Sequence, residues 1–207
     1  MKYKLTDNKK KVDSKVLYQI EALIDFASVS KGDLGGWIER EGNLFQVGDA
    51  WVSGDARVFG DAQISGNAHV SGNARVSGDA RIVGDARVFG NAQVSGNAWV
   101  SGNARIFGDA QVFGDARIFG DARISGDARV FGNAHLSARA SFTKGRFIGG
   151  DNSGKITDIT DKTGSLYLKN QYVLGDCEIT NSEEEEGVEE VDAETILLNG
   201  KTYKLIK

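Results

Sequence analysis

From Val52 to Leu136 an aliphatic residue falls at every sixth position without a slip, through Val58, Ile64, Val70, Val76, Ile82 and onward. Glycine holds the second place after each aliphatic, from Gly54 to Gly132, and Asp or Asn holds the third, from Asp55 to Asn133. Alanine holds the fourth, from Ala56 to Ala140. Fifteen consecutive units obey this rule. The 27 glycines and the absence of proline therefore mark a structural repeat rather than a flexible linker.

The unit has a physical reading. In Ala-Arg-Val-Phe, small apolar, charged and branched apolar side chains alternate, and Ser or Phe follows. This is the period-two pattern of a strand with Ala and Val inward. Gly-Asp or Gly-Asn then turns a corner, because these residues enter the left-handed region at modest cost. A four-residue strand and a two-residue corner, repeated, predict a coil of three sides, with three units to each turn. Stacked at ~4.8 Å per turn, about five turns give a solenoid roughly 24 Å long. Its core is a column of Val and Ile lined by Ala, the small residue that a narrow triangle needs.

The repeat resembles the hexapeptide-repeat family over about residues 47–140. The opening segments YKL…ALIDFASVSKGDLGGW…QVGDAW are similar to its YdcK-like branch of bacterial proteins. The resemblance implies an all-β fold, a left-handed parallel β-helix. The left hand comes from the family alone and departs from the usual right-handed crossover. Residues 1–46 are expected to form an N-terminal β-rich cap over the open first coil. After Leu136 the rule fails, with Ala138 in the glycine place and Arg139 in the Asp/Asn place. Residues 141–207 are expected to form a small β-rich segment with an acidic, solvated loop at 183–194. A hairpin at 195–206 is centred on Asn199-Gly200.

The family includes acyltransferases and zinc-dependent carbonic anhydrases, so the residues must be asked for chemistry. Family acyltransferases work as trimers, with a histidine base and an acyl-CoA cleft helped by loops that leave the helix. Here no loop interrupts residues 47–137. The zinc enzymes need three histidines, and the chain has two, His69 and His135. Their separation is not a whole number of turns, which puts them on different faces and apart from any shared ion. The Gly-Asp pairs have neither the period nor the arrangement of calcium-binding nonapeptides. No phosphate-binding GxxxxGK[ST] loop occurs. Cys177 has no histidine nearby in sequence and reads as a small packed residue. The outward positions lack the threonine ladders of ice-binding solenoids. No cofactor and no metal is expected.

What remains is the exterior. Arg87, Arg105 and Arg123 are expected to stack as one ladder, moderated by Asp85, Asp109, Asp121 and Asp127. Phe59, Phe89, Phe107, Phe113, Phe119 and Phe131 occupy the place after the aliphatic, which alternation turns outward. Phe89/Phe107 and Phe113/Phe131 should be neighbours in adjacent coils. Clustered apolar side chains on an exterior indicate a covered surface. Binding is therefore assigned to Phe89, Phe107, Phe113, Phe119, Phe131, Arg87, Arg105 and Arg123. The covering partner is a second or third copy of the chain, its own tail, or another protein.

A net charge of −4 gives no bias toward nucleic acid or an anionic membrane. No apolar run reaches the ~18 residues that span a bilayer, and no apolar stretch of signal-peptide type follows the lysines of the start. A single cysteine fits a reducing, cytoplasmic setting. The expected function is a non-enzymatic binding or assembly module. The second reading is an acyltransferase-like enzyme taking acyl-CoA at a trimer interface.

Overall fold

The structure, a computed structural model, describes residues 1–137, 141–143, 145–151, 163–168, 171–176, 195–198 and 201–204. The repeat forms a parallel β-solenoid with three faces. Face one stacks Arg57–Val58, Arg75–Val76, Gln93–Val94, Gln111–Val112 and the start of Arg129–Leu136. Face two stacks Trp51–Val52, His69–Val70, Arg87–Val88, Arg105–Ile106, Arg123–Ile124 and Ser141–Phe142. Face three stacks Gln63–Ile64, Arg81–Ile82, Trp99–Val100, Arg117–Ile118 and His135–Leu136, the end of a strand that runs unbroken round the corner from face one. Within the repeat each strand pairs in register with the strand three units further along the chain. Every aliphatic residue at the six-residue spacing from Val52 to Leu136, and every corner alanine from Ala50 to Ala134, is buried, which places the predicted column of side chains at the centre.

Two details differ from the sequence pattern. The ladder-paired strands are two residues long rather than four, the outward residue and the aliphatic that follows it. The rest of each unit bends, yet bonding between turns continues through the bend. Arg57 N donates to Ala74 O, Phe59 N to Val76 O, and Asn67 N to Gly84 O. Bonding at every second residue around the perimeter lets strands this short be stable. The stack is also longer than the expected five turns, since face two alone holds six strands. Ile38, Leu44 and Val52 already pair with Val58, Ile64 and Val70 to make a first turn. At the other end Phe142 follows Ile124, and Phe147 follows Val130 after a step shorter than three full units.

The corner glycines meet two demands at once. Gly54 through Gly132 all have positive φ, where a side chain costs ~1–2 kcal/mol. They also stack on one another. A Cβ on Gly96 would lie 2.8 Å from the Gly114 nitrogen, and one on Gly66 would lie 2.9 Å from that of Gly84.

The N-terminal segment closes the open end of the column. Strands β1 (Tyr3–Val12), β2 (Lys15–Ala22) and β3 (Leu34–Ile38) form an antiparallel meander that joins face one through β3. β1 is the outer edge and is rich in lysine (Lys4, Lys9, Lys10, Lys11), the composition that discourages further strand addition. Tyr3 is fully buried and donates its hydroxyl to the carbonyls of Leu44 at 2.6 Å and Glu41 at 3.0 Å. Trp51 lies edge-on to both Tyr3 and Phe26.

Lys2 is 3% exposed and donates from Nζ to the carbonyls of Ala50 at 2.8 Å and Gly48 at 3.0 Å. Burial pushes this amine down from 10.5 to about 8, partly opposed by Asp49, while burial pushes the Tyr3 phenol up from 10.0. The signs of the two are opposite. Between about pH 8 and 10 the unfolded chain holds a proton on Lys2 that the folded chain has lost, so stability rises with pH. Above pH 10 the unfolded chain alone loses the Tyr3 proton, and stability falls. The melting temperature is therefore expected to climb from pH 8 to 10 and then turn down. Lys2→Met should flatten the climb, and an unaltered climb in that variant would contradict the assignment.

At the far end Arg146–Asp151 pairs in parallel with Arg129–Leu136 and antiparallel with Gln171–Asp176, which in turn pairs with Thr163–Leu168. Thr195–Leu198 and Lys201–Lys204 pair antiparallel. The acidic run 183–194, Cys177, Ala138–Ala140 and the turn residues Asn199 and Gly200 lie outside the described residues. Among the described residues, no helix is long and apolar enough to cross a membrane.

Candidate functional site

The residue after each corner alanine points outward and gives each face a column. On face two the column reads Trp51, His69, Arg87, Arg105, Arg123 and Ser141, with Arg87 registered on Arg105 and Arg105 on Arg123. The expected arginine ladder is present. The expected moderation takes a different form: among the described residues, no carboxylate lies within salt-bridge distance of these three guanidinium groups. The arginines that are paired sit elsewhere, Arg75 on Asp13 at 2.8 Å and Arg40 on Asp61. Asp85 and Asp121 line an open depression of about 230 Å³ together with Arg87, Arg105, Arg123 and Asn103. Asp109 and Asp127 stand at the opposite corner of the same face.

The phenylalanines are less exposed than simple alternation suggests. Phe89 and Phe107 stack with ring centroids 4.9 Å apart and planes 2° from parallel, and Phe113 and Phe131 at 5.0 Å and 3°. Each of these four is half-buried, because the place after the aliphatic is where the chain begins to bend and a ring can lie along its neighbour. Such a pair stabilises its two turns by ~0.5–1.5 kcal/mol beyond its buried area. Phe59 is capped instead by the Arg75 guanidinium, 5.4 Å from the ring centroid. Phe119 has no ring partner among the described residues and is 42% exposed. Thus Phe89 and Phe107 flank the arginine ladder of face two, Phe113 and Phe131 lie on face one, and Phe119 lies on face three. The serine that follows Phe107 one turn on, Ser125, is 6% exposed and lies under the Phe142 backbone, to whose carbonyl its N–H donates. A phenyl ring has no room there, so the Phe/Ser choice is mechanical at that position.

Sequence reasoning did not single out Trp99. It occupies the outward place on face three between Arg81 and Arg117, and it is 44% exposed. The signal was legible: all three tryptophans take outward places in the turns. The N-terminal cap accounts for the other two. Trp51 is 4% exposed beneath Tyr3 and Phe26, and Trp37 lies under the Lys10 ammonium at 4.4 Å. Nothing among the described residues covers Trp99. Trp and Arg together are the residues that most often dominate association energy.

The edges between faces explain why Asn replaces Asp. One edge reads Asp49, Asn67, Asp85, Asn103, Asp121 up the stack. Asn67 donates from Nδ2 to Asp85 at 3.0 Å and Asn103 to Asp121 at 2.9 Å. On the other edges Asn91 donates to Asp109 at 2.9 Å and Asn97 to Asp115 at 2.7 Å. A carboxylate only accepts, so an amide between two of them supplies a donor and removes a like-charge contact. The faces thus carry cations and the edges carry anions.

The histidines are on different faces, as their spacing requires. His69 sits on face two between Trp51 and Arg87, and His135 on face three beside Arg117. Burial first, and then the Arg87 charge, push the His69 imidazole below its ordinary value, so it is neutral at pH 7. Among the described residues no carboxylate hydrogen-bonds it, so it lacks the orienting partner of a general base.

In a comparison with protein families, the chain matches the YdcK beta solenoid repeat at residues 62–78, 68–84, 80–96, 92–106 and 122–137. A search of curated proteins finds no match.

Proposed function

Since residues 62–137 place the chain among the proteins built from the YdcK β-solenoid repeat, we propose that it is a non-enzymatic binding and assembly module whose rigid exterior engages other protein surfaces. The observation that carries this reading is face two, where three guanidinium groups, without a carboxylate partner among the described residues, run beside a stacked phenylalanine pair. The exposed Trp99 and Phe119 on face three supply a second apolar anchor. Every one of these side chains is held on a backbone bonded to neighbouring turns. Little ordering entropy is therefore lost on association, which favours binding over a flexible display of the same residues.

The neutral, unoriented His69 and the distant His135 support the non-enzymatic reading over acyl transfer. A single cysteine supports a cytoplasmic setting. The test is the double variant Phe107→Ser with Phe113→Ser. It should keep the β-rich circular dichroism spectrum and lose at least tenfold in association, read by sedimentation velocity and by capture of partners identified through mass spectrometry. If the double variant retains both the assembly state and the captured proteins of the parent, the reading fails.

A further inference from the structure

We infer that face two is the interface of a twofold homodimer whose two solenoids run parallel, a reading that rests on the surface-engagement function above and names its partner as a second copy. The argument starts from the order of side chains across the face. Two of its middle turns present Arg, then Phe, then Asn or Asp at the corner: Arg87, Phe89, Asn91 and Arg105, Phe107, Asp109. The next turn carries Arg123 and Asp127 on either side of the buried Ser125. The cation column lies on one side of the phenylalanine stack and the anion column on the other.

Only one twofold axis suits that order. An axis along the solenoid, passing over the Phe89–Phe107 stack, exchanges left for right and leaves height unchanged. Arg105 of one copy then meets Asp109 of the other, Arg123 meets Asp127, Arg87 meets Asn91, and each phenylalanine stack meets its mate. An axis across the solenoid exchanges top for bottom and sets arginine against arginine, which is repulsive. Face-to-face sheets stand ~10 Å apart, a gap that extended arginine side chains span.

Charged groups on the two sides correspond. Among the described residues, Arg87, Arg105 and Arg123 have no carboxylate within salt-bridge distance. Asp109, which accepts from the Asn91 amide, and Asp127 are successive carboxylates on one edge with no amide between them and, among the described residues, no cation within salt-bridge distance. The comparable pair Asp61 and Asp79 differs, because Asp61 has Arg40. Pitch favours the same partner. Both columns repeat once per turn, and the ring spacing of 4.9 Å shows the size of that step. An extended acidic peptide presents same-side carboxylates about 6.6 Å apart and falls out of step with the ladder. A second copy keeps step by symmetry.

The experiment is sedimentation velocity on the purified full-length chain, with circular dichroism to confirm folding. The wild type should sediment as a dimer at tens of micromolar. Arg105→Asp and Asp109→Arg alone should each weaken the dimer at least tenfold. Mixing the two single variants one to one should restore a dimer, because each supplies the charge the other lacks. Combining both substitutions in one chain should also restore it, a result that an axis setting arginine against arginine does not give. Arg123→Asp and Asp127→Arg repeat the set one turn on, should either first variant misfold. A monomeric or trimeric wild type, or a dimer indifferent to the single substitutions, overturns the inference. So does failure of the combined variant to recover. A monomeric wild type that still loses a captured protein on Phe107→Ser with Phe113→Ser removes the twofold and leaves the binding reading standing.

Discussion

Replacing Gly96 by alanine is expected to destabilise the protein by about 3 kcal/mol or more, the range that strain and overpacking reach together. Two costs add at this position. Its φ of +70° costs an alanine ~1–2 kcal/mol. The new Cβ would then meet the Gly114 nitrogen at 2.8 Å and oxygen at 2.9 Å, both backbone atoms that cannot rotate away. Moving the two turns apart would stretch the bonds from Ser95 N to Val112 O and from Trp99 N to Ala116 O, and the Asn97 amide bridge to Asp115. Two other glycines separate the contributions. Gly32 has φ of +94° and nothing within 4 Å of a built Cβ, so Gly32→Ala should carry the backbone cost alone. Gly42 would meet only the flexible Arg40 side chain at 3.7 Å, so its substitution should be near neutral. Urea titrations should rank the losses Gly96, Gly32, Gly42. Equal losses at Gly96 and Gly32 would show that turn stacking is not what the corner glycine serves.

That double demand on glycine explains how much of the fold was legible. A six-residue rule repeated in register leaves one arrangement for Val, Ala and Gly, and the column from Ala50 to Leu136 is where the pattern puts it. Legibility ended where the rule bends. Ile38 and Leu44 belong to the first turn, but the steps from Ile38 to Val58 and from Leu44 to Ile64 are longer than three repeat units, which hides the register. Phe142 and Phe147 extend the column with a larger side chain and, at Phe147, a shorter step. The length of the paired strands was misjudged because alternation describes where side chains point, whereas a bending backbone can alternate without forming a ladder.

The exterior was legible in position and less so in state. Spacing alone put Arg105 over Arg123 and Phe89 over Phe107. It could not show that the rings lie flat on each other and are partly buried, nor that, among the described residues, the arginines make no salt bridge to the aspartates at either corner. Those facts depend on rotamers and on the angle of the bend. Trp99 was missed for a different reason. The clustered rings mark the Phe/Ser column, whereas this tryptophan stands in the Arg/Gln column, where an apolar residue is the departure from the rule.

Ile106→Ala separates the mechanical role of the repeat from its surface role. Ile106 is fully buried, registered between Val88 and Ile124 in the middle of face two. Truncating it should cost about 2–5 kcal/mol, toward the upper end, because the turns above and below are fixed by backbone bonds and cannot collapse into the space. In a stack where each turn touches only its neighbours, a mid-stack loss also weakens the coupling between the two halves. Trp37 and Trp51 lie in the capped half and Trp99 near the middle, so fluorescence and circular dichroism should report different urea midpoints in this variant and the same midpoint in the wild type. The next residue along, Phe107, should behave in the opposite sense. Phe107→Ser removes one ring of a half-buried pair, a loss of ~0.5–1.5 kcal/mol for the ring–ring contact, yet it removes half of the apolar centre of the proposed interface. If Ile106→Ala weakens association as much as Phe107→Ser while both remain folded, then interior and exterior are not independent. Association would in that case depend on the integrity of the stack rather than on the side chains it displays.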